Sequence, residues 1–252
     1  MRGTVYLVGA GPGAADLVTV RAARLLEKAD IVFYDALVDE EVLDLCPQAE
    51  KVSVGKRCGE RSTAQRFINN QLIDAAQTHA CVVRLKGGDP MLFGRAREEI
   101  DALLAAGIQV EVIPGVSAAF GASADLMQSL TQRGVSRSVL FVTPRVGHGE
   151  TDHPWAKSAA AADTVVLYMA GQQAGAIAEA LMAVGLPSTH PSVMIENATL
   201  PGKRIIPARL CDLASAAKQL QGGPALLFIG EVFEELVAQG ELPAPNPKGR
   251  SA

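Results

Sequence analysis

Short apolar runs that read as buried strands, Val5–Val8, Ile31–Tyr34, Val52–Val54, Val82–Leu85 and Val110–Ile113, alternate with segments of helical period. This alternation predicts a mostly parallel sheet covered by helices, because parallel neighbours need crossovers and each crossover must bury its own apolar stripe. Between the first two runs, Val18, Ala22, Leu25, Leu26 and Ala29 share one helical face, and Asp16 is the expected N-cap. Ser62 with Gln65 reads as a capping box opening a second helix; Glu98–Ala106 followed by Gly107 reads as a third with its stop.

The pattern restarts after Pro114. Strand-like segments stand at 138–143, 164–169, 192–196, 204–209 and 225–229, and Ile177, Leu181 and Val184 mark a helix between two of them. Pro114-Gly115 and the long stretch before the next strand put a boundary near Val116, giving domains 1–116 and 117–236. The remainder, 237–252, is rich in turn formers (Pro243, Pro245, Pro247, Gly249) and is expected to be a mobile tail without chemistry.

Composition narrows the function. With 252 residues, 48% apolar and 20% charged, the chain can bury a core in each of two modest domains. Twenty-three Lys and Arg face 27 Asp and Glu with no basic block, which argues against nucleic acid and for a small-molecule partner. Cys46, Cys58, Cys81 and Cys211 lack disulfide or zinc spacing, and no metal site is expected. Neither an export signal nor a membrane span is readable, so a cytoplasmic location is expected. His79, His148, His153 and His190 are scattered and read as surface residues.

The loop Val8-Gly9-Ala10-Gly11-Pro12-Gly13-Ala14 follows the first strand and formally satisfies a dinucleotide fingerprint, with Asp35 as the acidic partner at the end of the second strand. A nicotinamide-dependent oxidoreductase is therefore open on Gly9, Gly11 and Ala14. Pro12 weighs against it, removing one N–H from a loop whose value to a pyrophosphate is its converging N–H groups. Two further loops, Arg84–Arg95 and Ile113–Ala119, expose backbone at the same predicted sheet edge, where open parallel sheets bind ligands.

Together V-G-A-G-P-G, Y-D (34–35), V-G-K-R (54–57), R-L-K-G-G-D-P (84–90), F-G-R (93–95) and P-G-V-S-A (114–118) resemble the tetrapyrrole methylase family, and within it the uroporphyrinogen-III C-methyltransferases. The resemblance continues through Leu130–Gly134, Leu167–Met169, Ile195–Asn197 and Ile229–Val232. It implies two α/β domains, the first sheet mostly parallel and the second mixed, in the class III methyltransferase fold with the active site in the cleft between them. The implied reaction is S-adenosylmethionine-dependent C-methylation of uroporphyrinogen III at C2 and C7, giving precorrin-2 for sirohaem, cobalamin or haem d1, with S-adenosylhomocysteine as by-product and a homodimer as the assembly.

By the same resemblance, Pro12, Gly87, Gly88, Asp89, Leu92, Ser117, Ala118, Met169 and Ala198 contact the cofactor. Asp35 is the implied proton acceptor and Lys56 the proton donor. Arg95, Glu98, Arg133 and Met169 are the expected substrate contacts. Guanidinium groups suit a substrate with eight carboxylates, and Glu98 would orient Arg95 one turn along the helix. Read singly, Gly87 and Gly88 would be a turn needing positive φ and Met169 a core residue.

The chain departs from the family pattern at Ala96-Arg97, Gln132, Ala170 and Ala198, and the two late alanines require negative φ where related chains carry glycine. Other readings are a sister enzyme acting on a later corrin precursor and a non-catalytic cofactor-binding protein.

Overall fold

The computed structural model describes residues 2–55, 61–144 and 154–240, the side chains of 61–64 and 172 excepted. Two compact units divide the chain, Met1–Gly121 and Ala122–Ala252. The expected tail lies outside the described residues from 241 onward.

In the first unit, strands β1 (Thr4–Gly9), β2 (Ile31–Tyr34), β3 (Glu50–Ser53), β4 (Cys81–Lys86) and β5 (Gln109–Ile113) form one sheet in the order β3-β2-β4-β1-β5. Every pairing is parallel. The helices are α1 (Val20–Leu26), α2 (Glu40–Leu43), α3 (Arg61–Thr78) and α4 (Ala96–Ala105).

Connections from β1 through β3 step toward one sheet edge, and those from β3 through β5 step toward the other. Right-handed crossovers then put α1 and α2 on one face and α3 and α4 on the opposite face. The cores agree: Ala22, Leu26, Val42 and Leu43 pack on Val8, Val32, Val83 and Leu85, whereas Leu72, Ala76 and Leu103 pack on Val5, Leu7, Phe33 and Val82. The direction of winding reverses between β4 and β1, which makes the carboxyl ends of these two strands the place where a parallel sheet binds ligands.

Three local expectations are corrected. The first helix is capped by Thr19, whose side chain accepts from the Ala22 N–H, because Ala15–Leu17 forms a separate 3-10 turn that leaves Asp16 outside α1. α3 already begins at Arg61, so Ser62 stands in its first turn; the Gln65 amide points instead to Asn69 and Glu99. β3 ends at Ser53, with Val54 continuing only through its N–H to the Tyr34 carbonyl. By contrast, α4 stops as expected, with Ala106 as its C-cap and Gly107 at φ 70° next, although it begins two residues earlier than read, at Ala96.

The second unit is a mixed sheet of β6 (Val139–Val142), β7 (Thr164–Tyr168), β8 (Pro191–Glu196), β9 (Arg204–Arg209) and β10 (Ala225–Gly230) in the order β6-β7-β10-β8-β9. Only β6 and β7 pair in parallel; β10 runs against both β7 and β8, and β9 against β8. The helices of this half are α5 (Ala118–Asp125, across the unit boundary), α6 (Trp155–Ala160), α7 (Ala174–Ala183), α8 (Leu213–Ala216) and α9 (Glu234–Gln239). Ile177 and Leu181 of α7 and Leu213 of α8 cover Leu167, Met194, Leu227 and Ile229 on one face of that sheet, while Val166, Val193 and Phe228 are buried on the other, where Phe233 meets Phe228 edge to face.

Candidate active site

At the carboxyl edge of the first sheet three glycines meet backbone to backbone. A Cβ on Gly9 would stand 2.5 Å from the Gly115 Cα and 2.7 Å from the Gly88 carbonyl oxygen, and a Cβ on Gly115 would strike that same oxygen. Only glycine lets these three loops close on one another. Gly11 and Gly88 exchange N–H to carbonyl bonds of 3.3 and 2.7 Å, an isolated bridge beyond the end of the ladder. Both have positive φ, 77° and 68°, whereas Gly87 does not; its constraint is the Leu37 Cβ, 2.8 Å from where a Cβ would be.

Asp89 ties this edge together. Its Oδ1 accepts the Met91 N–H at 2.8 Å and its Oδ2 the Gly115 N–H at 3.0 Å, so the carboxylate joins the β4 loop to the β5 loop. Leu92 follows within the same turn, its N–H on the Asp89 carbonyl. Ser117 is buried and its carbonyl starts α5, accepting from Phe120 and Gly121. Ala118 presents its N–H side to Gly88, 3.6 Å from that glycine's Cβ position. Pro12 is half-buried in the first loop. The helix that a dinucleotide fingerprint needs at once begins only at Val20, beyond the 3-10 turn, so this loop lacks the helix N-terminus that would meet a pyrophosphate.

Asp35 follows β2. Its Oδ1 accepts the Leu37 N–H at 3.0 Å, and its Oδ2 lies 3.5 Å from Arg84 Nη2, with the side chain 26% exposed. Lys56 lies outside the described residues. Arg95, the N-cap of α4 in left-handed conformation (φ 54°), is bound twice by Glu98 at 2.7 Å, the orientation the sequence suggests. Both side chains are about half exposed. An exposed pair of this kind is worth about 0–1 kcal/mol, too little to keep an incoming carboxylate off Arg95.

Beneath Asp35 lies a buried charged cluster that the sequence reading passed over. Alternation along β4 sends Val82, Arg84 and Lys86 to the α3/α4 face, the face that Phe33 also takes. There Glu99 of α4, fully buried, receives Lys86 Nζ at 3.0 and 3.1 Å, Arg84 Nε at 3.2 Å and Gln65 Nε2 at 3.1 Å. Desolvation lowers the pKa of Lys86, and the neighbouring Arg84 charge adds to the shift; Glu99 opposes both. The available signal was two cations, two residues apart, inside an apolar strand, which is a costly burial unless paired.

In the second unit, Met169 follows β7 in left-handed conformation (φ 57°) and is 46% exposed, which overturns its reading as a core residue. Asn197 (φ 52°) and Thr199 (φ 69°) follow β8 in the same way. A bulky or β-branched residue there is strained by about 1–3 kcal/mol and persists where the surroundings hold it; Asp125 does so at Thr199, accepting its N–H at 2.5 Å. Ala170 and Ala198 themselves are buried with negative φ, so a methyl is accommodated at both positions.

A pocket of about 450 Å³ opens beside Met169, walled by Gly171, Gln173, Ala217, Leu220 and the run Gly222–Ala225. That run is held by Glu196, a fully buried carboxylate that accepts the Gln221 and Gly223 N–H groups at 2.7–2.9 Å. Arg133 sits on an exposed hairpin whose Ser136 hydroxyl lies 2.9 Å from Thr164 Oγ1 at the start of β7, whereas Met169 follows the far end of that strand. These two expected substrate contacts are thus anchored at opposite ends of β7.

His190 departs from the surface reading: it is mostly buried and 3.1 Å from Glu231. His148 and His153 lie outside the described residues. Cys46, Cys81 and Cys211 are free thiols, and no metal-binding group of His, Cys, Asp or Glu occurs among the described residues. Nor is any described helix long and apolar enough to cross a membrane.

Residues 4–214 match the family model described as "Tetrapyrrole (Corrin/Porphyrin) Methylases". A siroheme synthase of Pseudomonas fluorescens (strain Pf0-1) is 44% identical over 92% of the chain, which spans about half of that relative's length (50%). A chloroplastic S-adenosyl-L-methionine-dependent uroporphyrinogen III methyltransferase of Arabidopsis thaliana is 45% identical over 92% of the chain and 64% of its own length. Among solved structures, uroporphyrin-III C-methyl transferase from Thermus thermophilus complexed with S-adenyl homocysteine has a TM-score of 0.80 at 39% identity, covering 92% of this chain and all (100%) of that one.

Proposed function

Because the chain belongs to the tetrapyrrole (corrin/porphyrin) methylase family, we propose that it is an S-adenosylmethionine-dependent methyltransferase that methylates uroporphyrinogen III at C2 and C7, giving precorrin-2. The observation that carries this reading is the carboxyl edge of β1 and β4, where Gly9, Gly88 and Gly115 bring three loop backbones together and Asp89 binds the Gly115 N–H. The likeness over nearly the whole length of a chain solved with S-adenyl homocysteine supports it.

The residues present suit this cofactor. Room at Gly88, where a Cβ would meet only the Ala118 nitrogen, leaves backbone open for a ligand. In the second unit, a pocket of about 450 Å³ lies beside Met169. By the resemblance, Pro12, Gly87–Asp89, Leu92, Ser117, Ala118, Met169 and Ala198 are the residues that would hold it. S-adenosylmethionine supplies, when bound, an electrophilic methyl group on a sulfonium.

An electron-rich pyrrole carbon needs no strong base to become a nucleophile, so the chain's main contribution is orientation, which is worth several kcal/mol. Once the new carbon–carbon bond has formed at the expense of the methyl–sulfur bond, with S-adenosylhomocysteine as the leaving group, the macrocycle carries a positive charge that it sheds as a proton. Asp35 accepts that proton on its carboxylate, and Lys56 is the donor for any proton the ring must regain in shifting its double bonds. Arg95 and Arg133 bind substrate carboxylates; Glu98 presets the Arg95 guanidinium.

The test is anaerobic incubation with S-adenosylmethionine and enzymatically generated uroporphyrinogen III, read by product mass and absorption. Gain of two methyl groups is expected. Unmodified substrate, with S-adenosylhomocysteine still bound, would redirect the assignment to a later corrin precursor.

A further inference from the structure

We infer that Arg84 is the positioning residue for Asp35, and that Lys86, Glu99 and Gln65 form the buried platform that holds Arg84 in place. The inference rests on the proton-accepting role proposed for Asp35.

The cluster's charges do not balance without Asp35. Arg84 and Lys86 contribute two cations at 4% exposure, and Glu99 one anion at zero exposure. Removing a charge from water is costly unless it is paired, so one buried positive charge needs another partner. Among the described residues, Asp35 is the other carboxylate within ion-pair distance of Arg84, at 3.5 Å. It is also the member that reaches the surface, at 26% exposure, which puts the balancing anion where a substrate can meet it.

The shape of the guanidinium explains why arginine occupies this position. Nε binds Glu99, Nη1 donates to the Phe33 and Leu85 carbonyls at 3.4 and 2.9 Å, and Nη2 faces Asp35. One planar group thus fastens the end of β2 to β4 at the point where their ladder stops, since pairing ends at Tyr34 with Leu85. A lysine, with its single charged nitrogen on a flexible stem, cannot reach four partners in these directions. Asp35 is then gripped from both sides: Oδ1 by the Leu37 N–H and Oδ2 by Arg84. A carboxylate held in this way enters the reaction already oriented, which is where a displacement of about 1 Å is worth about a hundredfold in rate.

The experiment is a double-mutant cycle on the full chain with Arg84→Gln, Asp35→Asn and the double variant, reading single-turnover methyl transfer at saturating S-adenosylmethionine and the dissociation constant of S-adenosylhomocysteine. Arg84→Gln is expected to slow transfer about tenfold in the wild-type background and less than twofold in the Asp35→Asn background, the mark of residues acting as one unit. Cofactor affinity should stay within twofold throughout. An equal loss in both backgrounds, or none in the wild type, overturns the inference.

Should Arg84→Gln fail to fold, guanidinium nitrogen resonances of Arg84 in wild type and in Asp35→Asn decide the matter without it. Resolved, slowly exchanging Nη signals that collapse on Asp35→Asn support the pairing; unchanged signals overturn it. Wild-type chain that transfers no methyl group sinks the functional reading instead, and the resonances still report on Arg84 and Asp35.

Discussion

At the scale of single residues, stability and chemistry turn on contacts that neighbouring sequence does not advertise. Thr19, not Asp16, holds the first turn of α1 by accepting the Ala22 N–H at 3.2 Å. Thr19→Ala should therefore cost about 1 kcal/mol in urea unfolding, typical of a lost N-cap, whereas Asp16→Ala should change it by less than about 0.5 kcal/mol. Gly115 offers a sharper case. Its missing side chain is what lets the β5 loop lie on Gly88 and Gly9, so Gly115→Ala should destabilise the fold by about 1–3 kcal/mol and weaken S-adenosylhomocysteine binding in the same titration. The glycines of all three loops are visible as motifs, Gly115 in P-G-V-S-A, but that they touch is not, because the neighbours of Gly115 come from β1 and β4. Arg84 and Lys86 were likewise quoted as letters of a motif; their meaning depends on Glu99, which arrives from α4.

At the scale of elements, β7 shows how a polar residue outside the ladder secures a strand. Asp163, the residue before β7, accepts the backbone N–H groups of Arg137 and Ser138 and the Ser138 hydroxyl at 2.8–2.9 Å, which pins the chain entering β6 against its parallel neighbour. These hydrogen bonds, the Arg137 backbone contact first, depress the Asp163 carboxyl below its ordinary value of 3.8. A depressed carboxyl stabilises the fold fully above its unfolded pKa and loses that contribution as pH falls through the lower folded value. Asp163→Asn should thus lower the unfolding midpoint at pH 7, and the gap to wild type should close as both are melted at progressively more acid pH below 3.8. A gap that persists in acid would mean the hydrogen bonds do not depend on the charge. Strand positions were legible here to within a residue or two, since Val139–Val142 and Thr164–Tyr168 are plain apolar runs. The clamp between them was not, because it joins residues 25 and 26 apart in the chain.

At the scale of the whole molecule, binding is linked to stability. If the chain holds S-adenosylhomocysteine in its native state alone, a concentration one hundred times the dissociation constant should raise unfolding free energy by about 2.7 kcal/mol, visible as a concentration-dependent rise in Tm by calorimetry. NAD at equal concentration should leave Tm unmoved, as expected for a glycine loop that leads into a 3-10 turn instead of a helix. The sequence by itself determined the succession of strands, the longer helices between them, the parallel character of the first sheet and the family, because periodicity and turn chemistry are local and because motif order is written along the chain; the short helices α2, α6, α8 and α9 carry too few turns to show a period. Only the tertiary structure decided that Gly9, Gly88 and Gly115 touch, that Met169 stands exposed in strained backbone, and that Asp35 lies 3.5 Å from the buried Arg84. Each of those facts depends on which strands become neighbours and which face a side chain takes, and the strand order β3-β2-β4-β1-β5 brings together residues from distant parts of the chain.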